Sequence, residues 1–227
     1  MVCDRPRGDR GGGGRGASGA PARAAGRRIS ESTRLEAALA AVVASMGRMH
    51  QTLQRMPENC DPYIYYNRVR PFIHGWQQAP VVYEGVAEYE EAPQTFYGET
   101  GAQSTVVPCL DAVLGIGHQP DELRTYLRGM RTYMPPPHVA FLDRLEEGPS
   151  VRAFVAGADD TELRGVYDAA VAGVEAFRST HLEYAARYIQ KQAQVGVNST
   201  VYGTGGTPFM RYLKKHRDEP RRHRLDH

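Results

Sequence analysis

Long apolar runs are missing from this 227-residue chain. The most hydrophobic stretch, residues 35–46, is about 12 residues long and alanine-rich, short of the roughly 20 that a membrane-spanning helix needs. No leader with a recognisable cleavage site precedes it, so the expectation is a cytoplasmic protein with no membrane partner. Cysteine is scarce: Cys3, Cys60 and Cys109 leave an odd thiol in any pairing and show no CxxC spacing, which points to reduced thiols, not a disulfide framework. Alternating strand patterns and fixed-period repeats are also lacking. The body has no excess of positive charge. Residues 1–28 hold seven Arg against two Asp, and the remainder carries 21 basic and 24 acidic side chains, so nucleic acid is not an expected partner of the folded part. The same 28 residues contain no aromatic ring, which an RNA-binding arm would use for stacking. With few large apolar side chains, residues 1–29 are expected to be a disordered Arg/Gly-rich tail.

What the chain does contain is helical periodicity, and the fold class it implies is all-α. Leu35, Leu39, Val42, Met46, Met49, Leu53 and Met56 alternate by four and three, predicting an amphipathic helix from about Ser30 to Met56. A second helix is expected at about Tyr63–Trp76, with Tyr65, Val69, Phe72 and Trp76 on one face and Tyr66, Arg70 and Ile73 on another; by pattern alone Arg70 is a surface or ion-pair residue. Residues 77–104 are rich in Pro and Gly, and a connection this long inside a domain usually serves a function. Further helices are expected at Val106–Ile116, carrying the lone acid Asp111, then at Asp121–Met134, His138–Glu147 and Val151–Ala156. Pro208–His216 is read as a helix and residues 217–227 as a charged, frayed tail.

The longest pattern spans about residues 161–191. There Leu163, Tyr167, Ala170, Val174, Phe177, His181, Tyr184 and Tyr188 form one apolar stripe, opened by Asp159 and Glu162 as a capping box. His181 lies on that stripe. Pattern alone leaves two readings: a core imidazole satisfied by a carbonyl and a hydroxyl, or an axial ligand held by a rigid helix beside haem iron. Downstream, Gly203-Thr204-Gly205-Gly206-Thr207 offers backbone N–H groups and hydroxyls suited to a carboxylate, and without a following Lys it is no phosphate loop.

Several ordered motifs resolve these alternatives. Arg68-Val69-Arg70-Pro71-Phe72 with His74-Gly75-Trp76, Gly101-Ala102-Gln103-Ser104-Thr105, Leu114-Gly115-Ile116, Met130-Arg131-Thr132-Tyr133-Met134-Pro135-Pro136, Pro149-Ser150-Val151-Arg152-Ala153-Phe154-Val155 and Arg178-Ser179-Thr180-His181-Leu182 together resemble the indoleamine 2,3-dioxygenase family. The resemblance runs from about residue 31 to 216. It implies a helical haem domain over residues 30–216, haem b as cofactor, and His181 as the proximal iron ligand. Asp111 and Arg178 would form a salt-bridged pair behind that ligand, and Arg70 would hold the carboxylate of L-tryptophan. Tyr65 and Tyr66 would flank the indole where the family usually presents Phe. Thr100, Gly101 and Thr204 would line the substrate's amino-acid end. The implied reaction inserts both atoms of O2 across the indole C2=C3 bond to give N-formylkynurenine, with an electron donor that the sequence does not name. The family's small N-terminal domain and distal helices have no counterpart in the sequence. A fragment or a haem site with an open distal face is therefore expected, and a non-catalytic haem-binding protein or an enzyme acting on another indole stands as the alternative.

Overall fold

The computed structural model describes residues 19–77, 79–195 and 209–225. Among them the regular structure is helical apart from one antiparallel bridge between Val81 and Gln94, in agreement with the all-α expectation. In chain order the helices are α1 (Gly19–Gln54), α2 (Met56–Asn59), α3 (Pro62–Ile64), α4 (Val106–Leu114), α5 (Glu122–Met130), α6 (Pro136–Glu147), α7 (Val151–Ala156), α8 (Thr161–Tyr188) and α9 (Phe209–Asp218). None of the described helices is long and apolar enough to cross a membrane.

Two of these helices set the architecture. Met46 of α1 lies against Gly173 of α8, where an added Cβ would stand 3.3 Å from the Met46 sulfur. Further along, His50 and Thr180 share a hydrogen bond of 2.8 Å, and the Tyr184 hydroxyl donates to the Gln54 carbonyl at 3.3 Å. Residue numbers rise together along both helices, so α1 and α8 are parallel, and the intervening chain must cross back between them. Leu39 and Met46 of α1, Leu163, Tyr167, Ala170, Val171 and Val174 of α8, and Leu114, Ile116 and Val155 from the crossover make the apolar core. Burial of such side chains stabilises a fold by roughly 1.5–3 kcal/mol each.

Helix ends follow local chemistry, with three shifts from expectation. α1 begins at Gly19, well before Ser30, because Ala and Arg dominate residues 20–28 and both favour helix; residues 1–18 of the expected tail lie outside the described residues. Asp160, not Asp159, caps α8, its carboxylate accepting from the Leu163 N–H at 3.0 Å. Within the expected C-terminal tail, the described residues up to Leu225 pack against the body. A 3-10 turn at Pro220–His223 follows α9; Glu219 is 4% exposed, and the Leu225 N–H donates to Asp168 at 2.8 Å.

The expected single helix at Tyr63–Trp76 is broken. Pro71 has no N–H and its ring clashes with the carbonyl four residues back, so α3 widens into a π turn at Tyr65–Val69 and tightens into a 3-10 turn at Arg70–Phe72. Tyr66 and Arg70 are fully buried while Phe72 is 85% exposed. This reverses the surface placement that the pattern suggested for Arg70. The chain then pairs with the far end of the long connection: Trp76 N–H donates to Phe96 O at 3.1 Å and Glu99 N–H to Ile73 O at 3.0 Å. Gly75 permits the approach, since a Cβ there would stand 2.1 Å from the Gly98 nitrogen. Rings of Trp76, Tyr83, Tyr89 and Phe96 fill the connection, with centroids 5.5–6.4 Å apart.

Gly75→Ala is therefore expected to lower the unfolding free energy by more than about 2 kcal/mol. Gly129→Ala, in a helix with open space at its Cβ, should be neutral or stabilising by up to about 1 kcal/mol. Denaturant titration of both variants checks the contrast.

Candidate functional site

α8 passes from core to site over its last four turns. Its buried side chains are Leu163, Tyr167, Ala170, Val171 and Val174, then Arg178, Ala185 and Tyr188. Phe177 and Tyr184 are only half-buried and His181 is exposed, contrary to the single buried stripe expected from the sequence. Eighteen residues are five full turns at 3.6 residues per turn, so His181 shares the azimuth of buried Leu163; its exposure is set by which elements pack over that part of α8, not by helix twist. His181 is exposed, yet burial by the protein around its ring lowers the imidazole's pKa, which favours the neutral form. Among the described residues it has no hydrogen-bond or ion-pair partner.

One turn earlier, Arg178 donates through Nη2 to both oxygens of Asp111, at 2.8 and 2.6 Å. Asp111 sits on α4, where Gly115 with φ 65° ends the helix in the left-handed conformation and turns the chain back. That turn brings His118 under the same carboxylate. Its Nε2–H donates to Asp111 at 3.0 Å and its Nδ1–H to Glu219 at 2.6 Å. Burial pulls the His118 pKa down, but the two carboxylates outweigh it and bring it up to about 9. Burial raises Asp111 while Arg178 and His118 lower it further, so its carboxyl stays below the usual range. His216 stacks on His118, centroids 4.7 Å apart and planes 24° from parallel. Burial first, then the Arg178 and His118 cations, depress its pKa to about 4. The His216 carbonyl accepts from Arg178 Nη1 at 3.1 Å. Arg178 thus ties α8, α4 and the C-terminal segment together.

Toward the other end of α8, the rings of Tyr65 and Tyr188 meet edge-to-face at 5.9 Å, and the Tyr188 hydroxyl donates to Cys60 O at 2.7 Å. Tyr188 lies seven residues beyond His181, about 10 Å along the axis. The Arg70 guanidinium stands 5.8 Å from the centre of the Tyr66 ring, and burial lowers its pKa. Thr100 accepts from the Ala102 N–H at 3.3 Å and so caps the 3-10 turn Gly101–Gln103. The Glu99–Ile73 bond places this turn beside the Arg70 segment. Thr204 lies outside the described residues. Two open clefts, of about 450 Å³ between Tyr97, Tyr126 and Tyr212 and about 420 Å³ between Asp121, Asp218 and Glu219, do not include His181 in their walls.

Sequence reasoning did not single out His118, His216 or Glu219. The signal was a His and a Glu three apart, which share a helix face, but it is embedded in a Lys/Arg-rich segment that reads as solvated.

The structure defines a class first: a helical domain whose 28-residue helix α8 offers an imidazole without a partner among the described residues, with a buried ion pair one turn behind it and a buried arginine among aromatic rings beyond. Comparison with known proteins makes this specific. The profile of the family described as Indoleamine 2,3-dioxygenase matches residues 20–223. The chain is 34% identical over 199 residues to Indoleamine 2,3-dioxygenase 1 of Rattus norvegicus, covering 81% of this chain and 49% of the relative. It is 36% identical over 208 residues to Indoleamine 2,3-dioxygenase acdA of Aspergillus candidus, covering 84% and 51%. It is also 32% identical over 203 residues to a protein named Myoglobin from Haliotis madaka, covering 86% and 53%. The chain belongs to the indoleamine 2,3-dioxygenase family, a family of helical haem proteins. It spans about half the length of the curated relatives it matches.

The His118 shift fixes a pH dependence. A histidine raised from 6.5 to about 9 contributes stability that is fully present below about pH 6.5 and lost as pH rises through about 9. Unfolding free energy is expected to fall between pH 7 and 10 by an amount on the order of 3 kcal/mol, and His118→Gln should flatten that slope. Denaturant titrations across the range read it directly.

Proposed function

We propose that this chain holds haem b through His181 and belongs to an enzyme that opens the indole ring of L-tryptophan with O2 to give N-formylkynurenine. The observation that carries the reading is the state of His181. It is exposed and without a partner among the described residues, and burial of its ring favours the neutral form, which suits an axial ligand. The residues present therefore fit the group. Haem, when bound, supplies O2 activation and insertion of both oxygen atoms across the C2=C3 bond.

The remaining work falls to the chain. Arg178 and Asp111 place a compensated charge pair one turn behind the ligand and fix the helix that presents it. Arg70 meets the substrate carboxylate with its planar fork; in so buried a place that bond is stronger than in water. Tyr65 and Tyr66 hold the indole face, and their hydroxyls make this wall more polar than a Phe pair would. Thr100, Gly101 and Thr204 receive the amino-acid end. None of these groups is asked to abstract a proton, which suits a site built from aromatics, Thr, Gly and one Arg. An external reductant keeps the iron ferrous, and reduced thiols at Cys60 and Cys109 accord with a cytoplasmic setting.

A second reading, haem binding without turnover, draws support from the relative named Myoglobin. Haem-loaded chain assayed with reductant and L-tryptophan separates the two. Under the first reading N-formylkynurenine forms, and Arg70→Ala raises KM for L-tryptophan by about tenfold or more, the loss of one charged hydrogen-bonded contact, while the Soret band persists. Haem uptake without any product would sink the dioxygenase reading in favour of the second.

A further inference from the structure

We propose that His118, His216 and Glu219 form a second metal site, for a divalent first-row transition ion such as Zn2+, which clamps the C-terminal segment onto the connection between α4 and α5. One ligand atom from each of the three lies within 4.8 Å of the others. Zinc bonds of about 2.0–2.2 Å set tetrahedral donor atoms about 3.3 Å apart, so the His118 Nδ1 to Glu219 contact of 2.6 Å must open slightly and His216 must draw in.

Three independent features fit such an ion. First, His216 Nε2 is buried and makes no hydrogen bond among the described residues, and Glu219 Oε1 makes none either, its nearest ionic neighbour being the Lys215 ammonium at 3.6 Å. A neutral imidazole with an unused nitrogen is a ready donor. Second, the far nitrogen of His118 is already held by Asp111 at 3.0 Å. That is the carboxylate–histidine arrangement that orients a metal-binding imidazole and raises its basicity. Third, Glu219 opens onto a cleft of about 420 Å³ whose walls also hold Asp121, Asp218, Lys215 and Arg222, giving access from solvent and room for water in the fourth position. On binding, the ion takes the place of the His118 Nδ1 proton, which leaves to water.

The site is separate from the haem ligand. Among the described residues His181 makes no hydrogen bond or ion pair with any of the three. The ion would couple residues 209–225 to α4 more tightly than the His118 bridge alone.

The test uses the full chain, chelator-treated, with and without haem, titrated with ZnCl2 in a calorimeter. One equivalent is expected to bind in both forms, and binding should raise the thermal midpoint. His216→Phe, which keeps the ring stack, and Glu219→Gln, which keeps the shape and a hydrogen-bonding group, should each weaken binding about 100-fold, while His181→Ala leaves it unchanged. Should either variant fail to fold, CoCl2 added to the wild-type chain decides: intense tetrahedral d–d bands support the site. Absence of those bands, equal binding by the two variants, or loss of binding in His181→Ala overturns it.

Discussion

Asp111 is buried, and a carboxylate in that position survives only with its charge answered. Arg178 and His118 answer it from two sides, and nearly everything that positions the site hangs on the result. Arg178 belongs to α8, His118 to the turn after α4, and Glu219 and His216, which hold the outer faces of His118 and Arg178, to the C-terminal segment. One carboxylate thereby locks three remote stretches of chain. Removing either partner of such a pair leaves a bare charge inside the protein, at a cost of about 3–5 kcal/mol.

That lock also explains why His181 is available. With Arg178 turned inward to Asp111, His181 three positions on is left exposed, and no neighbouring side chain among those described claims its nitrogens. The far end of α8 is held differently, by rings and a hydroxyl: Tyr188 against Tyr65, and Tyr188 to the Cys60 carbonyl. Between the two anchors, the ligand candidate rides on a stiff helix pinned at both sides. The parallel course of α1 alongside α8, with Met46 seated on Gly173, keeps that helix straight through the core.

Helix positions were legible in the sequence wherever an apolar period marked them: the helix Val151–Ala156 appears as expected, and the pattern from about residue 161 becomes α8, which ends at Tyr188. The pairing of Asp111 with Arg178 was reachable through family resemblance, since 67 residues separate them and no local rule joins residues so distant. Three things were not legible. Which positions of a 28-residue helix are covered depends on the elements packed over each turn, so His181, at the azimuth of buried Leu163, read as buried. The π turn at Tyr65–Val69 arises from how the chain accommodates Pro71, a response that periodicity does not encode. The cationic C-terminus looked solvated because its many Arg and Lys hide Glu219, whose partner His118 is 101 residues away.

The central claim is that His181 is the residue that takes the iron. Resonance Raman spectroscopy of the ferrous, haem-loaded chain tests it most directly through the iron–histidine stretching band. The account predicts that band in the wild-type chain, its loss in His181→Ala, and the return of an iron–imidazole band when free imidazole is supplied. An unchanged band in His181→Ala would contradict it.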